Sequence, residues 1–165
     1  MEIVYKKLTE KELDTVIKMR IDQLTEEYTS EGRTVPEDVD LNAALLEFYK
    51  KNMAAGTYVS WLAIDKDADD KIIGTSGMSF AEKPPYFTCP SGKLGILSSM
   101  YTDPDYRRLG IATELLDRVL KEAKVVTSNG IIAGNNLKDI IGKTFKKDMP
   151  DYSYHIIVAC FFVIT

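Results

Sequence analysis

The chain has 165 residues, of which 45% are apolar and 28% charged, and carries a net charge of −4. That length suits one domain with a core of its own, and the composition is that of a globular protein. The acidic balance and the lack of a long basic run argue against a nucleic-acid partner, and a single histidine with two unmatched cysteines argues against a metal centre or a disulfide framework.

The cysteines, Cys89 and Cys160, read as reduced thiols of an intracellular protein. "MEIVYKKLTEKEL" has no apolar signal core, and the C-terminal run "IIVACFFVIT" is too short to span a bilayer. A cytoplasmic protein without a membrane partner, monomeric or homodimeric, is therefore expected.

In chain order, "IVYKKL" opens as a short strand. "LTEKELDTVIKMRIDQLTEEY" then reads as a helix. Thr9 and Glu12 have the spacing of a capping box, and Leu8 and Leu13 that of a hydrophobic staple. Leu13, Val16, Ile17, Ile21 and Leu24 make one apolar stripe. A second helix is expected from about Asp40 to Gly56, with Leu41, Leu45, Phe48 and Tyr49 on its apolar face. "TYVSWLAID" and "KIIGTSGMSF" are strands that the polar "KDADD" joins as a hairpin. "AEKPPYFTCPSGK" is a Pro-rich loop, and "LGILSSMYT" is the next strand. A long amphipathic helix follows within "MYTDPDYRRLGIATELLDRVLKEAK". Beyond Lys124 come a short strand at "GIIA", a helix at "NNLKDIIGKTF" and a strand at "YSYHIIVACFFVI". The order β-α-α-β-β-β-α-β-α-β predicts an α/β (α+β) layered domain over 1–165, with helices flanking one sheet.

The mouth of the long helix carries the chemical signal. A helix start exposes unpaired N–H groups at the positive end of the helix dipole, where anions bind. Gly110 allows a phosphate close to the backbone, and Ala112 keeps the next turn clear. Arg107 and Arg108 add charge and forked donors. Pro104 stiffens the approach and Asp103 is placed to cap the turn. Leu115, Leu116, Val119, Leu120 and Ala123 fix the helix on the sheet. Together these describe a pyrophosphate cradle. A Walker loop and a dinucleotide fingerprint both need glycines that this stretch lacks.

Arg107, Gly110 and Ala112 stand at the places of an Arg/Gln-x-x-Gly-x-Gly/Ala signature, after a strand ending in "SSMYTDPDY". The hairpin strand "IIGTSGMSF" and the Pro-rich "FAEKPPYFTCPSGKLG" come before it. In order and spacing these elements resemble the GNAT superfamily of acetyl-CoA-dependent N-acetyltransferases, from about Met1 to Lys124. The resemblance implies a mixed, mainly antiparallel sheet with a splay after the fourth strand. It also implies acetyl-CoA as co-substrate and an amine of a small molecule or peptide as acceptor. The pantetheine arm would pair with the backbone of Met100, Tyr101 and Thr102. Pyrophosphate would lie on the backbone of Arg107, Arg108, Leu109, Gly110, Ile111, Ala112 and Thr113, and Asn136 falls near a polar position that contacts the co-substrate. The thioester carbonyl would be polarised by a strand N–H near Met100.

The acceptor amine must lose a proton before it attacks. Candidates are Ser98 or Ser99 holding a water, Glu82 just after the third strand, and Glu26, Glu27 or Glu31 near the end of the first helix. The family's acid tyrosine would fall on Ile141, and Thr144 precedes Phe145 where Gly-Phe is usual, so the pattern is atypical from about residue 125. Tyr152 and Tyr154 are the nearest replacements. Two other readings follow from the same residues: a non-catalytic acyl-CoA-binding or regulatory module, and a phosphate-ligand domain unrelated to CoA.

Overall fold

The computed structural model describes residues 1–85, 87, 91–127 and 131–133. The first helix begins where its sequence places it. The Glu12 carboxylate accepts from the Thr9 N–H at 3.0 Å and the Thr9 hydroxyl at 2.6 Å. A single 3₁₀ turn, Glu10–Glu12, leads into α1 (Leu13–Ser30). α2 (Asn42–Ala54) starts two residues after Asp40, because the Asp40 side chain accepts from the Asn42 N–H at 2.9 Å and forms the turn itself. α3 is Ile111–Thr127.

Five strands form one sheet in sequential order: β1 (Ile3–Lys7), β2 (Tyr58–Asp65), β3 (Lys71–Glu82), β4 (Lys93–Thr102) and β5 (Ile131–Ala133). The first four pair antiparallel, and β5 runs parallel to β4 from Leu94 to Ile96. The β2–β3 hairpin turns as "KDADD" predicts. Asp65 accepts from the Asp67 N–H, and Asp69 and Asp70 take left-handed φ of 55° and 56°, which aspartate tolerates better than bulkier residues.

Strand alternation sends the two faces to different helices. Tyr58, Leu62 and Ile64 of β2 pack with Leu13, Val16 and Ile17 of α1 and Tyr49 of α2. Val59, Trp61 and Ala63 turn the other way, toward α3. There Met78, Leu97 and Met100 meet Leu116, Val119 and Leu120. The sheet is thus a middle layer with a core on each side. The expected helix at "NNLKDIIGKTF", the strand at "YSYHIIVACFFVI" and any splay beyond Ala133 lie outside the described residues.

β3 and β4 do not keep one register. Thr75 faces Tyr101 and Gly77 faces Ser98, so one residue of β3 opposes two of β4, Ser99 and Met100. This is a β-bulge, and Ser99 sits in it at a left-handed φ of 56°.

Candidate functional site

The bulge, the end of β4, the start of α3 and the last turns of α1 meet around a cavity of about 140 Å³. Its walls include Gln23, Glu26 and Glu27 from α1, Met100, Tyr101 and Thr102 from β4, and Tyr106 to Thr113 in part. Asp103 caps the turn that leads there, accepting from the Asp105 N–H at 3.1 Å, and its other oxygen pairs with Lys71 at 2.9 Å. Burial alone would raise the Asp103 pKa, but the hydrogen bonds from Lys71 and the Asp105 N–H hold it below the usual carboxylate range.

The helix mouth has the geometry of an anion site. The Glu114 N–H is bonded to the Gly110 carbonyl at 3.1 Å, so the N–H groups of the α3 start before it have no helical acceptor. Arg108 and Gly110 take left-handed φ of 65° and 80°. Alternating left-handed residues turn successive N–H groups into one concavity. A Cβ built on Gly110 would meet nothing within 4 Å, so the space above that glycine is open.

The two arginines have separate uses. Arg107 is turned inward: its Nη2 reaches both oxygens of Glu26 at 2.7 and 3.0 Å, and its Nε donates to the Thr102 carbonyl at 3.1 Å. The Tyr101 hydroxyl donates to the same Glu26 at 3.2 Å. Burial, and next to it the Glu26 charge, pushes the Tyr101 pKa up to about 12. The sequence expectation that both guanidinium groups add phosphate donors therefore divides. The Arg107 side chain ties α1 to β4, and the exposed Arg108 side chain makes no contact among the described residues.

Of the carboxylates proposed as proton acceptors, Glu26 is committed to Arg107 and Tyr101, and Glu31 pairs with Arg33. Glu27 lines the cavity, and among the described residues its carboxylate accepts from the Gln23 amide at 3.0 Å. Burial raises its pKa, which the Arg20 charge and the Gln23 hydrogen bond only partly oppose. Glu82 is not brought to the site. It pairs with Lys93 at the far end of β4, seven residues or about 23 Å from Met100 at roughly 3.3 Å per residue. The Ser99 side chain is buried, with its hydroxyl 3.4 Å from that of Tyr49, rather than lining the cavity. Asn136, Tyr152 and Tyr154 lie outside the described residues.

Sequence reasoning missed Gln23. It is 3% exposed and orients Glu27, and its signal was a polar residue seven after Val16 on the core-facing side of α1. It also missed Tyr106, which lines the cavity from the Asp-Pro turn. Among the described residues no helix is long and apolar enough to cross a membrane.

The family model described as the acetyltransferase (GNAT) family matches residues 19–133, which include the cavity. No curated protein sequence matches the chain. Among solved structures, it is similar to a predicted acetyltransferase from Clostridium acetobutylicum crystallised with acetyl-CoA. The two are 26% identical over 92% of this chain and 94% of that one, with a TM-score of 0.72. A GCN5-related N-acetyltransferase from Ralstonia eutropha is 18% identical over 92% and 98% of the two chains, at a TM-score of 0.68. Glucosamine-6-phosphate N-acetyltransferase from Arabidopsis thaliana is 15% identical over 92% and 96%, at 0.61. The last two likenesses concern the fold.

Proposed function

Because this chain belongs to the acetyltransferase (GNAT) family of acyltransferases, we propose that it moves the acetyl group of acetyl-CoA to a primary amine of a small molecule or peptide. The observation that carries this reading is the continuity of one cavity from the Gly110 cradle to the β4 bulge.

The pyrophosphate lies on the N–H groups that the left-handed Arg108 and Gly110 gather at the start of α3, with the Arg108 guanidinium free to join them. The pantetheine arm extends along Met100, Tyr101 and Thr102. The thioester carbonyl reaches the bulge, where the Met100 N–H stabilises the charge that develops on its oxygen. Glu27 takes the proton of the incoming ammonium. Its raised pKa brings it nearer the neutral range where a base works best. The amine nitrogen then bonds to the acetyl carbon, the carbon–sulfur bond breaks, and the thiolate leaves with the electron pair. The second proton, left on the nitrogen as the amide forms, passes through water to the thiolate, whose thiol pKa of about 8.5 lets it hold that proton near neutral pH.

Isothermal calorimetry with CoA, followed by mass spectrometry of a panel of primary amines incubated with acetyl-CoA and protein, tests the reading. Saturable CoA binding and an acetylated amine are expected. Failure to bind CoA at millimolar ligand overturns the proposal. Binding without turnover of any amine moves the chain to the acyl-CoA-binding reading.

A further inference from the structure

The β4 bulge is an expensive conformation for this sequence. A left-handed φ suits glycine, yet position 99 is serine. Something outside the strand must hold it, and a group of buried hydroxyls lies against it. The Tyr49 hydroxyl, from α2, is 3.4 Å from the Ser99 hydroxyl, and both residues are at most 3% exposed. Ser60 and Thr75 pair across β2 and β3 at 3.2 Å. The Tyr58 hydroxyl occupies the space over Gly77 where a Cβ would stand. Gly77 opposes Ser98, so this tyrosine is wedged beside the bulge itself. Burial pushes the Tyr58 pKa far up, so its hydroxyl stays protonated. Among the described residues it makes no well-formed hydrogen bond, although the Ser99, Ser60 and Tyr49 hydroxyls surround it. The Phe48, Tyr49 and Tyr58 rings pack edge to face or tilted, 5.2 to 5.6 Å apart, which fixes where the Tyr49 hydroxyl lies.

We infer that Tyr49 is a positioning residue for the acyl transfer. Through its hydroxyl contact with Ser99 it holds the β4 bulge in the shape that presents the Met100 N–H to the thioester carbonyl. This rests on the acetyl-CoA reading above. Tyr49 does not line the cavity, and it acts only through the backbone of residues 99 and 100. The coupling also links α2 to the reacting centre, since Tyr49 is the one buried residue of that helix.

The test reads the carbonyl directly. Acetyl-CoA labelled with ¹³C at the thioester carbonyl is bound to the wild-type protein, and difference infrared spectroscopy records how far the stretch falls when an N–H polarises it. In Tyr49→Phe the ring packing remains and only the hydroxyl is lost. The band is expected to return toward its position for free acetyl-CoA. CoA affinity by calorimetry should stay within about twofold, since the cradle's anion donors lie elsewhere. Turnover of an amine accepted by the wild type should fall by up to about 10²-fold, the scale of losing one oxyanion donor. Ser99→Ala removes the same contact from the other side and should give the same band shift. Glycine adopts the left-handed φ without a tether, so Tyr49→Phe combined with Ser99→Gly should restore the wild-type band.

An unchanged band in Tyr49→Phe and Ser99→Ala overturns the inference while leaving the acetyl-CoA reading intact. So does a double variant that fails to recover, because the Tyr49 hydroxyl would then act otherwise than by holding the backbone of residue 99. A wild-type protein that binds no CoA, or binds acetyl-CoA without moving its band, overturns the underlying reading instead, and this inference with it.

Discussion

Arg107 and Glu26 stand 81 residues apart in sequence, and the arginine Nη2 lies 2.7 and 3.0 Å from the two glutamate oxygens. Their side chains are 20% and 31% exposed, so the pair is neither fully hydrated nor fully buried. It closes α1 onto the turn that carries the anion cradle. It also spends the charge of one of the two arginines that the sequence offers to phosphate.

The two arginines should therefore separate by experiment. Arg107→Ala is expected to cost about 1–3 kcal/mol of stability, between the values for exposed and buried pairs, because Glu26 and the Thr102 carbonyl lose their donor. Arg108→Ala should leave the melting temperature nearly unchanged and weaken CoA binding about tenfold or more, the scale of a lost charge-assisted hydrogen bond. Thermal denaturation and calorimetry on both variants check this. A CoA defect larger for Arg107→Ala than for Arg108→Ala would reverse the assignment.

Gly110 is a test of the cradle itself. Its φ of 80° disfavours any side chain, and a valine there also fills the open space above the backbone. Gly110→Val is expected to abolish measurable CoA binding while circular dichroism of the folded variant stays that of the wild type. Normal CoA affinity in a folded variant would move the phosphate site elsewhere.

Glu27 sets an expectation for pH. Burial, the largest influence, raises its pKa, so it stays protonated to a higher pH than an ordinary glutamate, which titrates at about 4.3. As the base it must be ionised. Activity should rise with pH through that elevated value, and Glu27→Gln should lower kcat by about 10²–10⁴-fold. The same group costs stability when charged, so Glu27→Gln should make the protein slightly more stable above its folded pKa. A variant with wild-type kcat would pass the role to a bound water or to another carboxylate.

Glu12 acts on stability alone. Burial would raise its pKa, but the hydrogen bonds from Lys6 and Thr9 outweigh this and lower it to about 2. Its contribution is fully present above the unfolded value of about 4.3 and is lost as pH falls through about 2. The Lys6 side chain is 44% exposed, so screening keeps the contribution to about 1–2 kcal/mol. In Glu12→Gln, urea melts should show a flatter fall in stability over that acid range than the wild type.

Local chemistry was legible in the sequence wherever partners lie within one turn. Thr9 and Glu12 are three residues apart, Asp65 caps the turn of "KDADD" at Asp67, and Asp103 caps the residue two ahead. The Arg107–Gly110–Ala112 spacing marked the start of α3 for the same reason, since a helix start is a local object. What stayed hidden depends on distant strands and helices. Nothing in "LSSMYT" marks Ser99 as left-handed, because the bulge is held by Tyr49, fifty residues earlier, and wedged by Tyr58 over Gly77. Glu82 looked close to the chemistry because it follows the third strand. Antiparallel pairing carries it to the wrong end of β4. Arg107 looked available because Glu26 meets it only in three dimensions.

The sequential strand order has a bearing on how the protein is made. β2, β3 and β4 follow one another by short connections and can zip as the chain leaves the ribosome, whereas β1 pairs with β2 across α1 and α2. β5 is different: it runs parallel to β4 and joins only after α3 has crossed over. The proposed CoA cradle sits on that crossover, so the ligand site should be the last part to mature. Pulse-labelled hydrogen exchange during refolding should protect β2 and β3 amides first and the α3 start last, and acetyl-CoA should speed only the final phase.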